Sequence, residues 1–63
     1  MSKTQEIEEL YKEAVACARY SKSKIKVKFW NLTNKLEKML LENKIELPKD
    51  KREKLNMAKK KFA

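Results

Sequence analysis

Histidine and glycine are both absent from this chain, and cysteine and proline occur once each. Each absence excludes something. Without histidine, the commonest acid–base catalyst is missing, and so is half of the usual Cys/His zinc set. Without a second cysteine there is no internal disulfide, and a lone thiol fits a reducing, intracellular compartment. Without glycine there is no Gly-rich phosphate loop and little aptitude for tight hairpin turns. Long apolar runs are missing too. The longest, AVACA at residues 14–18, falls far short of the roughly 18 residues of a membrane span. The opening MSKTQEIEEL is polar, without the apolar stretch of a secretory leader, so a cytoplasmic protein is expected. Catalysis is not expected, nor any cofactor or metal, because a 63-residue chain makes no deep pocket.

What the chain has is charge. Charged residues make up 41% of it, and 17 basic groups against 9 acidic ones leave a net charge of +8. That excess favours anionic partners without specifying a fold. A chain this short buries only about 60% of its unfolded surface, so its core is marginal and a staple is expected. With disulfides and zinc excluded, the remaining staples are a partner chain, such as a second copy, or close helix packing.

The apolar residues predict an all-α fold. Ile7, Leu10, Tyr11, Ala14, Val15, Cys17 and Ala18 fall on one arc at about 100° per residue, predicting a helix over residues 3–20. Ser2 with Gln5 fits a capping box, and Glu6, Glu8 and Glu9 lie in or near the first turns, where the helix dipole favours acids. Cys17 lies on the buried arc and reads as a small core residue rather than a nucleophile. The stretch SKSK at 21–24 is a connection. Residues 25–30 are ambiguous. Ile25, Val27 and Phe29 alternate with lysines as a strand would. Yet Ile25, Phe29, Leu32, Leu36 and Met39 are spaced 4, 3, 4 and 3, as in a helix, and this longer pattern predicts one over about 25–43. Pro48 is placed to open a third helix over 49–62, with a thin apolar face of Leu55, Ala58 and Phe62. The architecture expected is a small three-helix bundle, up-down-up, as a monomer or a homodimer. A competing picture keeps one heptad phase through Ile7, Tyr11, Ala14, Ala18 and Ile25, giving a single long helix and a coiled-coil dimer.

Charge is distributed unevenly. Residues 1–20 are net −1, residues 21–30 carry four lysines and no acid, residues 31–47 are neutral, and residues 48–63 are net +5. In an up-down-up bundle the first connection and the end of the third helix share one pole. Lys22, Lys24, Lys26 and Lys28 then lie near Lys59, Lys60 and Lys61, with Tyr20 and Trp30 beside them. Basic groups so gathered neutralise phosphates. Only Arg19 and Arg52 are arginines, and lysines act mostly as point charges, so backbone contact with little sequence reading is expected. A solvated lysine turn accounts for the first run equally well. Tyr20 and Phe29 read as core aromatics.

The second helix has a surplus apolar stripe. Val27, Trp30 and Leu41, with Asn34 between them, fall opposite its main face. Such a stripe marks a partner or dimer surface with Trp30 as its anchor, or else Trp30 covers a core edge. Two functional classes follow. The first is nucleic-acid binding, DNA or RNA, through the lysine pole. The alternative is a small adaptor or inhibitor that binds an acidic protein through the Trp30 stripe. A membrane-surface role is weaker, because nine acids are interspersed and the third helix has few large apolar residues.

Overall fold

In a computed structural model describing residues 3–20 and 22–63, the chain forms three helices, α1 Lys3–Cys17, α2 Ser23–Glu42 and α3 Lys49–Lys61. Ser2 of the expected capping box lies outside the described residues. The contacts set the directions. Leu10 of α1 lines a surface cleft with Met39 near the far end of α2, so α1 and α2 are antiparallel. Lys51 reaches Glu8 at 3.3 Å and Lys61 reaches the Ala18 carbonyl, so α3 runs parallel to α1. The result is the up-down-up bundle.

The continuous-helix picture is overturned. α1 stops at Cys17, and residues 18–20 close it with tightened turns in which the amides of Ala18, Arg19 and Tyr20 donate to the carbonyls three residues earlier. Lys22 is extended, and α2 starts on Ser23. Folding back lets the two apolar faces bury each other, which a straight helix could do only against another chain. Residues 25–30 are helical throughout, so the alternation of Ile25, Val27 and Phe29 does not mark a strand.

The core is built from Ile7, Tyr11, Ala14 and Cys17 of α1, Phe29 and Leu36 of α2, Leu47 of the connection, Leu55 and Ala58 of α3, and Phe62 just after it. Cys17 is a buried free thiol. Phe29 is wholly buried and its ring lies 4.8 Å from that of Phe62, centroid to centroid. Thr33 is the buried polar residue at this level, and its hydroxyl donates to the Phe29 carbonyl at 2.8 Å, which removes the cost of desolvating it. Tyr20 departs from expectation. It is 57% exposed, because α1 has already ended and its position no longer follows the helical arc.

Lys51 ties the lower half of α3 to α1, with its ammonium 5.3 Å from the centre of the Tyr11 ring as well as beside Glu8. The upper half is tied by Phe62 and by Lys61, whose ammonium donates to the carbonyl of Ala18. α1 has no basic residue in its own last turn, so Lys61 supplies the cation that the negative end of its dipole favours. No helix of the described residues is long and apolar enough to cross a membrane.

Candidate nucleic-acid interface

A helix decides what an alternating lysine run can do. At about 100° per residue, positions two apart face in nearly opposite directions, while positions four apart share a side. The run from residue 22 to 28 therefore splits into two pairs. Lys22 and Lys26 turn towards α3. Lys24 and Lys28 lie on the outer face of α2, and both are exposed.

The first pair meets α3. Lys22, Ser23 and Lys26 line one cleft of about 310 Å³ with Lys61, Phe62 and Ala63. Residues nearly forty positions apart in sequence are thus brought to one concavity, and no acidic side chain lines it among the described residues. The lysine run at the end of α3 divides for the same reason as the first. Lys61 borders the cleft while its ammonium donates to the Ala18 carbonyl. Lys59 points to the other side and forms an ion pair with Glu37 of α2. Lys60 is exposed and does not line the cleft. So the structure gathers Lys22, Lys26 and Lys61, draws Lys59 away, and leaves Lys24, Lys28 and Lys60 in solvent around them.

The cleft is also where α2 begins. Lys22 is its N-cap residue and makes no side-chain cap, and no acidic residue stands in the first turn among the described residues. The first amide groups of a helix point out of its end without intrahelical partners, and the dipole places partial positive charge there. Lysines in that turn add repulsion, which an anion would relieve.

Trp30 stands next to this cleft. Its indole Nε1 donates to the Phe62 carbonyl at 3.3 Å, and its ring meets Phe29 edge-on at 5.3 Å. It is half-buried at the edge of the core. The other members of its stripe, Val27, Asn34 and Leu41, are exposed, Leu41 to 82%. Leu41 sits instead by a shallow cleft of about 430 Å³ formed with Leu40 and Ile45 at the far end of α2.

The outer face of α2 holds a pattern that sequence reading left aside. Lys24, Lys28, Asn31, Lys35 and Lys38 are spaced 4, 3, 4 and 3, and all are exposed. This is the same helical rule that found the apolar face, applied to the polar one. Only two acids occur in α2. Glu37 is held by Lys59 on the α3 side, and Glu42 closes the last turn beside Lys38 at 3.9 Å.

Comparison with known proteins returns no matching family, no matching curated protein and no matching solved structure. Geometry and charge carry the functional reading.

Proposed function

We propose that this protein binds nucleic acid, with the cleft of Lys22, Lys26 and Lys61 as its phosphate-contacting centre. The observation that carries the reading is the convergence of two sequence-distant lysine runs on one concavity without acidic side chains, at the uncapped start of a helix. Cations held close together around a concave surface focus the field there and raise the local concentration of anions. Phosphate neutralisation releases condensed counterions, so the affinity falls steeply with salt. Contacts to about four phosphates of a duplex correspond to a loss of about a hundredfold between 50 and 200 mM salt.

Trp30 makes the test direct. It is the sole tryptophan and its indole is bonded to Phe62, which lines the cleft. Its emission is titrated with short single- and double-stranded oligonucleotides at low and moderate salt. The wild type is compared with Lys22→Glu/Lys26→Glu and with Lys44→Glu/Lys49→Glu, which makes the same charge change away from the cleft. The cleft variant should lose at least tenfold in affinity and flatten the salt dependence, with a much smaller loss in the control. Equal losses would show that net charge alone attracts the strand, and no binding at low salt would end the proposal.

A second reading has its own observation in the exposed Leu41 and its apolar neighbours Leu40 and Ile45. A protein partner seated there would make Leu41→Asp the damaging change. Charge reversal at Lys22 and Lys26 would then slow association only.

A further inference from the structure

On the reading just given, we propose that the nucleic acid is duplex DNA and that the outer face of α2 lies in its major groove, with Asn31 and Asn34 reading base edges. The geometry begins with shape. α2 is the longest helix, 20 residues or about 30 Å. α1 packs along one side of it, Lys59 of α3 and the following Phe62 touch a neighbouring side, and the side away from these is open. A helix with its side chains is about 10–12 Å across, which matches the roughly 12 Å width of the major groove of B-form DNA.

Chemistry follows the same division. Down the middle of the open face run Val27, Asn31 and Asn34, at spacings of 4 and 3, all exposed. Neither asparagine side chain has a hydrogen-bond partner among the described residues, so both amides are free to pair elsewhere. A carboxamide fits the paired donor and acceptor of adenine, and an exposed valine can meet the thymine methyl. Lys24, Lys28 and Lys35 form one margin, and Lys26 with its cleft forms the other near the helix start. Reading groups flanked by a lysine row on one side and by the cleft cations at the helix start on the other suit a groove whose floor carries base edges and whose walls carry phosphates.

The alternatives fit less well. Binding single strands depends on aromatic rings on which bases stack. Here Tyr11 and Phe29 are buried, Phe62 is buried, and Trp30 is half-covered edge-on by Phe29, leaving Tyr20 alone exposed. The major groove of A-form RNA is too deep and narrow for a helix. A second copy docked on this face would set lysine rows against lysine rows. The expectation of little sequence reading rested on the scarcity of arginine and took no account of the two free asparagines.

A random pool of duplex DNA is selected on the wild-type protein. The enriched duplex, its separate strands and the matching RNA duplex are then measured by fluorescence anisotropy. The same series is run with Asn31→Ala and Asn34→Ala, whose exposed, unpartnered side chains can be removed without lowering the melting temperature. The expected result is an adenine-containing consensus and at least tenfold preference for the DNA duplex. Either variant should lose about 5- to 150-fold on the selected site, with no loss on an unselected duplex. No consensus, equal or tighter binding to single strands or RNA, or asparagine variants that bind like wild type would overturn groove reading while leaving phosphate binding at the cleft intact. Absence of salt-sensitive binding to any of the probes would overturn both.

Discussion

Lys44 has a backbone φ of 53°, in the left-handed region. The hydrogen bonds explain why. After α2, the amide of Ile45 donates to the Leu40 carbonyl at 2.9 Å and that of Lys44 to the Leu41 carbonyl at 3.3 Å, the paired arrangement that reverses the chain at a helix end. Glycine normally fills the turning position, and this chain has none. A residue with a Cβ there carries a penalty of about 1–2 kcal/mol, so Lys44→Gly should stabilise the fold by about 1 kcal/mol. In a domain of this size that raises the melting temperature by about 4–8 °C. Lys44→Ala keeps the Cβ while removing the charge. It should gain little, and an equal gain for both variants would assign the effect to charge rather than backbone. At this scale the sequence was only partly legible. The absence of glycine was plain, but nothing in ENKIEL said which residue would bear the strain, because the turn forms only when Ile45 folds back over Leu40. Tyr20 shows the same limit. Its burial depended on where α1 ended, and the helix-compatible residues Ala18 and Arg19 gave no stop signal.

The elements were legible where apolar residues recur every three or four positions. The interiors of α1, α2 and α3 all follow from that spacing, and of the three apolar residues foreseen for the third helix, Leu55 and Ala58 are buried within α3 and Phe62 is buried just after it. α3 is nevertheless the lightest element, since its inner face offers one large aliphatic residue, Leu55, and one alanine. Phe62 makes up the difference. It packs its ring on Phe29 and offers its carbonyl to Trp30. Removing a buried phenylalanine costs about 3–5 kcal/mol, against about 3–9 kcal/mol for a whole domain of this length. Phe62→Ala should therefore lower the melting temperature by tens of degrees or release α3. Circular dichroism would show the loss of helix, and Trp30 emission would move to the red as its indole meets water. A variant that melts within a few degrees of wild type, with emission unmoved, would mean that Leu55, Ala58 and the polar contacts of Lys51, Lys59 and Lys61 hold α3 without Phe62. The candidate site was half legible at this scale. The sequence marked both lysine runs, and topology predicted their meeting. The helical rotation that splits each run was overlooked, and with it the diversion of Lys59 to Glu37 and the polar stripe along α2.

For the molecule as a whole, two effects of charge oppose each other. The accessible surface is 4980 Å², against about 4250 Å² for a typical compact monomer of 7.5 kDa. The radius of gyration is 11.3 Å and the extents are 31 × 22 × 15 Å, so the surplus lies in an elongated form and an open α2 face. The four ion pairs among the described residues are all solvent-accessible and contribute little each. They do not offset a net charge of +8 spread over so small a body. Self-repulsion between the lysines then destabilises the folded state, and salt screens it over a Debye length of about 10 Å at 0.1 M. The melting temperature should accordingly rise by several degrees between about 20 and 300 mM sodium chloride, while nucleic-acid affinity falls by orders of magnitude over the same range. Bound phosphates do what the salt does, so a saturating duplex should raise the melting temperature most at low salt and least at high salt. Thermal melts at several salt concentrations, with and without duplex, check both halves together. Parallel curves with and without duplex would show that the lysines of the cleft and of α2 are not where the repulsion resides, and that their concentration at one end of the bundle does not make the binding surface.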